Sequence, residues 1–207
     1  KYHETLAATV IKNLEKRQME GYYCPTVEDA EKLAFSFLKD GQTVSFGGSM
    51  TLEETGMLTA LRHDPSIHLI DRSTAKTPDE TKKMYHDALS SDVYFMSTNA
   101  ITTGGELVNI DGTGNRVAAL IYGPETVVIL AGMNKIAANV DEALSRVHNV
   151  ATAQNCIRLD KKTPCAITGA CADCLSPDCI CNQVVITRRS GIKGRIKVLL
   201  IGESFGY

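Results

Sequence analysis

The stretch from Ser97 to Lys135 reads STNAITTGGELVNIDGTGNRVAALIYGPETVVILAGMNK, and the fold is predicted outward from it. Its apolar runs are interrupted at Gly104-Gly105, Gly112-x-Gly114 and Gly123-Pro124. Glycine allows a positive φ and a close approach of the backbone to a ligand. If two apolar strands deliver such polar loops to one edge of a sheet, the loops form a polar crevice there.

Apolar periodicity along the chain predicts strands that alternate with helices. Strands are predicted at residues 42–46, 67–70, 93–97, 106–110, 126–130, 184–187 and 197–201, and helices at residues 3–19, 27–38, 51–61, 78–90, 115–121 and 139–148. This alternation favours α/β architecture with an open, largely parallel sheet flanked by helices. The strand at 106–110 is expected to be half-exposed, and the last two strands are expected to form a terminal pair. Residues 1–207 are predicted to form a single domain.

The composition excludes several classes of protein. The chain has 43% hydrophobic and 22% charged residues, which is typical of a folded globular protein. Its formal net charge of −2 provides no broad basic field for nucleic acid. No apolar run approaches the roughly 20 residues that span a bilayer, so no membrane segment is predicted. The amphipathic N-terminus has no signal-peptide pattern, and a cytoplasmic location is expected.

The loop Gly47-Gly48-Ser49 follows a predicted strand and precedes a predicted helix. Such a junction can bind an anion, because free N–H groups and the helix dipole point to the same place. The alternative is a tight turn with a helix cap. Glu53 and Glu54 favour that alternative, since their charges already complement the dipole.

Three motifs in this order resemble one known family. SFGGSMTLEETG (45–56), NAITTGGELVNIDGTGNRVAALIYGP (99–124) and GMNKI (132–136) are similar to the LUD-domain family of lactate utilization proteins. The resemblance covers about residues 1–155 and implies a fold of the NagB/RpiA/CoA transferase-like class. It also implies a component of the oxidation of L-lactate to pyruvate, or of a related organic acid. Such an oxidoreductase component would act with partner proteins that carry Fe–S clusters.

The ligand-binding candidates are glycine, polar and charged residues of these motifs. They are Gly47, Gly48, Ser49, Thr51, Glu54, Asn99, Thr102, Gly112, Thr113, Gly114, Asn115, Arg116, Gly132, Asn134 and Lys135. Arg116 can clamp a carboxylate or phosphate through its planar guanidinium, although a structural pair with Asp111 is an open alternative. Lys135 offers a second positive charge at a strand end. Together these residues predict a site for a small anionic metabolite.

The catalytic candidates are Glu106 and Asp111. Glu106 follows a Gly-Gly turn, and CoA-transferase-like folds, which the resemblance implies, are known for a nucleophilic glutamate. The alternative for both carboxylates is to orient a ligand hydroxyl or to pair with Arg116. The five histidines have no acidic partner arranged around them in the sequence and are interpreted as surface or packed residues.

Five of the seven cysteines lie within residues 165–181, with the spacing C-x5-C-x2-C-x4-C-x-C. Clustered cysteines in an α/β protein point to metal ligation rather than to a disulfide framework. The predicted ligands are Cys165, Cys171, Cys174 and Cys181, with Cys179 as the alternative fourth ligand. They would hold a [4Fe-4S] cluster or zinc, or the thiols would be free. The remaining two, Cys24 and Cys156, are expected to be buried small hydrophobic residues.

Two other functions remain open at this stage. One is a non-catalytic module that senses or regulates by binding an anion, and the other is a CoA-transferase-like or sugar-phosphate-isomerase-like enzyme. Basic residues at 188–197 form either a solvated hairpin or a docking surface for an anionic partner. The substrate, the metal and the oligomeric state, including a homo-oligomer, are not determined by the sequence.

Overall fold

The computed structural model describes residues 1–207 and contains ten strands in two sheets. The strands are β1 (Glu20–Cys24), β2 (Thr43–Phe46), β3 (His68–Ile70), β4 (Val93–Met96), β5 (Ala100–Thr102), β6 (Leu107–Asp111), β7 (Thr126–Gly132), β8 (Ile136–Ala137), β9 (Gln183–Thr187) and β10 (Ile196–Ile201). The helices are α1 (Tyr2–Lys16), α2 (Val27–Phe35), α3 (Met50–Glu54), α4 (Met57–His63), α5 (Pro78–Ala88), α6 (Asn115–Ile121), α7 (Val140–Arg146), α8 (Ala153–Arg158) and α9 (Pro164–Thr168).

The main sheet has six strands in the order β1-β10-β7-β4-β2-β3, and every pair is parallel. Helices cover both faces. Val93 and Phe95 pack on one face with α2, α3 and α4, whereas Tyr94 and Met96 pack on the other with α1 and α6. Burial on both faces explains the continuous apolar sequences of the central strands. The open, largely parallel α/β sheet predicted from the sequence is therefore confirmed.

The second sheet has the order β8-β5-β6-β9 and was not predicted. The strand predicted at 106–110 lies in this sheet as β6, and its residues Leu107 to Ile110 are buried rather than half-exposed. Helix α7 and the π-helical segment Val147–Thr152 pack on it, with Val108 and Val147 in their shared core. The alternation of apolar and polar residues in β6 could not predict this burial, because the helix that covers the strand lies far from it in the sequence.

The predicted terminal strand pair is wrong. β9 pairs antiparallel with β6 of the second sheet, whereas β10 inserts between β1 and β7 of the main sheet. The residues of β10 are buried apart from Lys197, which suits a central strand with both faces covered. β1 completes that edge and was missed in the sequence, since EGYYC has no clear alternation of apolar and polar residues.

Two predicted helices also differ from the structure. The helix expected at 51–61 is interrupted at Gly56, whose φ of 73° lies in the left-handed region, and α3 and α4 result. The helix expected at 139–148 continues through the π-helical segment into α8. None of the helices combines the length and apolar character that crossing a bilayer requires.

The basic residues at 188–197 do not form one patch. Arg195 is buried and donates hydrogen bonds to the carbonyl oxygens of Ala119, Leu120 and Pro124 at 2.8, 2.6 and 2.8 Å. It thereby satisfies carbonyl groups at the carboxyl end of α6 that have no partner within the helix. Lys197 pairs with Glu20. The predicted solvated hairpin is therefore wrong for both side chains.

We expect Arg195→Met to lower the free energy of unfolding by about 3 kcal/mol, because three buried carbonyl groups lose a charged donor. Urea unfolding followed by circular dichroism measures this loss. Arg189→Met is the matched control, since Arg189 is exposed, and it should change stability by less than about 0.5 kcal/mol. Equal stability of the two variants would contradict the structural role of Arg195.

Candidate functional site

A polar cavity of about 310 Å³ lies at the carboxyl edge of the main sheet. Three neighbouring strands, β2, β4 and β7, end at this edge. They are followed by the loop 47–49, the loop 97–99 and the 3-10 turn Met133–Lys135, respectively. Because the strands are parallel and adjacent, segments far apart in the sequence meet at one place, where ligands of open α/β sheets bind.

The cavity brings together ten of the predicted site residues. They are Gly48, Ser49, Thr51, Asn99, Asp111, Gly112, Thr113, Asn115, Arg116 and Lys135. The other predicted site residues do not line it, namely Gly47, Glu54, Thr102, Glu106, Gly114, Gly132 and Asn134. That the cavity binds a ligand stays a prediction.

Lys135 is the one charged side chain in the wall of the cavity that is fully buried. It is only 3% exposed, and its Nζ donates to Thr51 Oγ1 at 2.8 Å and to Ser97 Oγ at 3.0 Å. No carboxylate forms an ion pair with it, although a buried charge normally requires one. Burial lowers the pKa of Lys135 to about 7, and the positive charges of Arg146 and Arg116 add to this effect, while the carboxylate of Glu54 opposes it. Near neutral pH the side chain is thus shared between amine and ammonium.

Arg116 holds the two sheets together. Its guanidinium donates to the carbonyl oxygens of Ser97 and Ile110, at 3.1 and 2.9 Å, and to Oδ1 of Asn99 and of Asn109, at 3.0 and 2.5 Å. Both terminal nitrogen atoms are therefore occupied by protein acceptors. The predicted role as a bidentate anion clamp does not fit this geometry, because the N–H groups that would bind the anion already donate to protein acceptors.

Asp111 also has a structural role in this arrangement. Its Oδ1 accepts from the N–H of Gly114 at 3.0 Å and its Oδ2 from the N–H of Val117 at 3.3 Å, next to the start of α6. Oδ2 also lies 3.5 Å from Nε of Arg116, so the alternative of a structural ion pair is confirmed. A carboxylate with both oxygen atoms engaged is poorly placed to accept a proton from a ligand.

Glu106 lies away from the cavity. Its carboxylate forms an ion pair with Arg17, directly after α1, and accepts a hydrogen bond from Thr102. Arg17 also donates to the carbonyl oxygens of Gly104 and Arg188. The position of Glu106 therefore does not support the predicted role as a nucleophile in the cavity. Its carboxylate fastens the turn between β5 and β6 to α1.

Glu54 and Asn134 bind the C-terminal segment instead of facing the cavity. Glu54 Oε2 accepts from the N–H of Gly206 at 2.6 Å, and Asn134 donates to the carbonyl oxygen of Gly206 at 3.1 Å. Asn134 Oδ1 also accepts from the N–H of Phe205 at 3.2 Å. These contacts hold Gly206 and Tyr207 against the cavity, where both contribute to its wall.

Two cationic side chains of the cavity were missed in the sequence. Arg72 follows β3, the edge strand beside β2, and its guanidinium donates to the hydroxyl of Tyr85 at 3.1 Å. Gly48 leaves room for it, since a Cβ atom there would lie 2.3 Å from Nη2 of Arg72. Arg158 of α8 is exposed and contacts only Asn155. The position of Arg72 directly after a strand was the signal that could have identified it.

The charges of the cavity are unbalanced. Four cationic side chains line it, namely Arg72, Arg116, Lys135 and Arg158, against one carboxylate, that of Asp111. Arg72, Lys135 and Arg158 form no ion pair with a carboxylate. A concave site lined by one sign of charge concentrates ligands of the opposite sign. The cavity therefore has the electrostatic character of an anion site.

The cysteine segment forms one side of the same cavity through Ile180, which packs on Gly112. Cys179 Sγ lies 3.0 Å from Cys181 Sγ, and Cys171 Sγ lies 3.7 Å from Nδ1 of His148. Cys165 is buried with Cys156, next to Ile180. No three side chains of the metal-binding types gather at one point. The four predicted ligands therefore do not converge on one point in this conformation. Metal binding by these cysteines stays a prediction.

The two remaining cysteine interpretations agree with the structure. Cys24 is 3% exposed and lies in the core between the main sheet and α2, while Cys156 is 1% exposed in a small cluster with Ala153 and Cys165. Burial raises the pKa of both thiols to about 11. Both are therefore protonated near neutral pH and pack as small hydrophobic groups.

Fold and cavity define an α/β protein with a cationic cavity at the carboxyl edge of a parallel sheet. The model of the LUD domain matches residues 7–201, so the chain belongs to the LUD domain family, which is related to lactate utilization proteins. The resemblance is therefore confirmed. It extends beyond the expected 1–155 and includes the cysteine segment and both last strands.

Three solved structures are similar to this chain to different degrees. A DUF162 family protein from Deinococcus radiodurans is 11% identical, and the match covers 97% of this chain and 98% of that chain with a TM-score of 0.55. eIF2B delta from Chaetomium thermophilum matches 54% of this chain and 48% of its own, with 20% identity and a TM-score of 0.35. The tetrameric eIF2B-beta2-delta2 complex from C. thermophilum matches 56% of this chain and 43% of that chain, with 18% identity and a TM-score of 0.38. Among curated proteins, none matches.

We expect Lys135→Met to change how stability depends on pH. Between pH 7 and the ordinary value of 10.5, the unfolded chain holds a proton on Lys135 that the folded chain releases, so the wild type gains stability as pH rises. Relative to Lys135→Met, the gain should approach about 1.4 kcal/mol per pH unit in this window. Urea unfolding at several pH values measures it.

The matched control is Lys12→Met, because Lys12 is exposed on α1. The difference in unfolding free energy between Lys12→Met and the wild type should show no steady change with pH between 7 and 10.5. A pH-independent difference between the wild type and Lys135→Met would show that Lys135 keeps its proton in the folded protein.

Proposed function

We propose that this protein binds a small organic-acid anion in the cavity and serves as a component of organic-acid oxidation, with L-lactate, pyruvate or a related acid as ligand. The single observation that carries the proposal is the buried amine of Lys135, which faces a cationic cavity without a carboxylate partner. Membership of the LUD domain family supports the same class of ligand. By this proposal the chain acts with partner proteins that carry Fe–S clusters.

The size of the cavity favours a small ligand. Its volume of about 310 Å³ is at the lower end of the range for small-molecule sites. Most of the lining side chains are polar, and Asn99, Asn155 and Tyr85 add hydrogen-bonding groups to the cationic ones. A carboxylate placed beside Lys135 and Arg72 would neutralise two charges that lack a counter-ion in the protein.

Binding of an anion should be coupled to uptake of a proton. A negative charge next to Nζ stabilises the ammonium form and raises the pKa of Lys135 from its value of about 7. At a pH above 7, each bound anion therefore brings a proton onto the side chain. The affinity for the anion should fall as the pH rises, because binding takes up a proton and the concentration of free protons decreases.

We predict that L-lactate and pyruvate bind with proton uptake above pH 7, and that their affinity falls by up to about tenfold per pH unit. Isothermal titration calorimetry in buffers of different ionisation heat measures the number of protons. Lys135→Met should weaken binding by about tenfold or more and abolish the uptake, because a charged hydrogen bond is lost.

Lys12→Met serves again as the control and should bind as the wild type does. Absence of binding by both acids at millimolar concentration would refute the proposal. So would unchanged affinity in Lys135→Met, since the proposal depends on that amine.

An anion sensor without turnover is the second candidate function. It is favoured by the arrangement of the carboxylates, because Asp111 is fully engaged and Glu106 lies outside the cavity. A CoA-transferase-like reaction through Glu106 loses its support for the same reason. Binding of an acid without consumption, in the presence of partner proteins and an electron acceptor, would favour the sensor over the oxidation component.

We also propose that the cysteine segment binds a metal, a [4Fe-4S] cluster or zinc. Its spacing supports this, and the structure favours Cys179 over Cys165 among the ligands. Cys179 Sγ lies 3.0 Å from Cys181 Sγ, so these two thiols are already adjacent. Cys165 lies in a small apolar cluster, where it contacts Thr163 at 3.2 Å.

We expect protein purified without oxygen to contain bound iron with sulfide, or zinc, close to one site per chain. Metal analysis together with the visible absorption spectrum distinguishes the two. Cys181→Ser should lose most of the metal, whereas Cys165→Ser should retain it. Loss in both variants would restore Cys165 to the ligand set, and metal-free wild-type protein would refute the site.

A further inference from the structure

The geometry of Lys135 points to covalent chemistry, and the inference rests on the proposed function of the cavity. We propose that Lys135 forms an imine with the carbonyl group of an α-keto acid bound in the cavity. This inference narrows the proposed ligands from organic anions in general to those that carry a carbonyl carbon next to the carboxylate.

The hydrogen bonds of Lys135 leave one position of the amine without a protein partner. Thr51 Oγ1 donates to the carbonyl oxygen of Phe205 at 3.3 Å, and Ser97 Oγ donates to that of Thr98 at 3.3 Å. Each hydroxyl has used its hydrogen and can only accept from Nζ. A neutral amine that donates to both therefore keeps its lone pair free, as a nucleophile requires.

The surroundings of the amine favour its neutral form. It is buried and forms no ion pair, and the guanidinium groups of Arg146 and Arg116 repel a positive charge there, against a smaller opposing attraction from the carboxylate of Glu54. Arg146 is held by the carbonyl oxygens of Asn134 and Asn99 at 3.1 and 2.7 Å, so this positive charge is fixed by the fold. A lysine that is desolvated beside other cations is a known form of activated nucleophile.

The ligand needs a second anchor, and the cavity offers one. Arg72 has no carboxylate partner in the protein, and it lines the same cavity as Lys135. A guanidinium binds a carboxylate through two parallel hydrogen bonds. With its carboxylate at Arg72, an α-keto acid could present its adjacent carbonyl carbon to Nζ.

The reaction is balanced without a further reagent. The Nζ lone pair attacks the carbonyl carbon, the C–N bond forms, and the oxygen takes a proton to become a hydroxyl group. A second proton moves from nitrogen to that hydroxyl, which leaves as water while the C=N bond forms. Both protons come from Nζ itself, and the hydroxyl groups of Thr51 and Ser97, which accept hydrogen bonds from Nζ, hold the amine in position. One amine and one ketone thus give one imine and one water.

The test is reductive trapping of the wild-type protein with pyruvate and sodium borohydride at neutral pH. Hydride adds to the carbon of the imine and converts it into a stable secondary amine. Intact-mass spectrometry should show one added carboxyethyl group per chain, and peptide mapping should place it on Lys135. L-lactate has no carbonyl group and should give no adduct.

Two variants and a control complete the experiment. Lys135→Met and Lys135→Arg should both lose the adduct, and Lys135→Arg keeps a positive charge at the site while its guanidinium forms no imine. Lys12→Met should be labelled as fully as the wild type. Circular dichroism and calorimetric melting verify that each variant is folded.

The outcomes separate this inference from the proposed function. If pyruvate and L-lactate bind but no adduct forms on Lys135 at saturating pyruvate, the imine is refuted and the anion site stands. If labelling falls only on exposed lysines, the imine is refuted as well. If neither acid binds, the proposed function itself fails. An adduct on Lys135 alone supports both.

Discussion

The hydrogen bonds of the Arg116 guanidinium, whose side chain is 12% exposed, are the interaction on which the cavity depends. It connects the end of β4, through Ser97 and Asn99, with β6 of the second sheet, through Asn109 and Ile110. Charge-assisted hydrogen bonds of this kind are strong in a region with little water. They act together with the shared apolar core, in which Ile101 and Leu107 of the second sheet pack with Met96 and Ile129 of the main sheet. The cavity is the space that these two sheets enclose.

The same guanidinium sets the chemistry of its neighbour. The donors of Arg116 bind protein atoms, yet its positive charge remains. Together with burial and Arg146, that charge makes the Lys135 ammonium unstable near neutral pH. A fold gains nothing from burying an amine in this way, since the loss of hydration is not compensated by a carboxylate. Groups held at such a cost cluster at functional sites.

The cysteine segment and the cavity are physically connected. Ile180 lies between Cys179 and Cys181 in the chain and packs against Gly112 in the cavity wall, where a Cβ atom would come within 3.3 Å of Ile180. Asn182 binds the same wall through the carbonyl oxygens of Asp111 and Gly112. The cysteine segment is therefore part of the wall of the cavity. The two features that the sequence presents separately form one region of the molecule.

The sequence by itself determined the local elements and the loops of the cavity. The apolar runs of β2, β4 and β7 and the polar residues after them predicted that Ser49, Asn99 and Lys135 meet at one edge, because parallel strands align their carboxyl ends. Only the tertiary structure decided what the charged groups do. Glu106 pairs with Arg17, which lies 89 positions earlier in the chain, and Arg116 binds acceptors of β6 and of the loop after β4. An apolar run such as that of β10 fits a hairpin as well as a central strand. Hydrogen-bond partners and burial depend on distances in space, and those distances follow from the packing of the whole chain.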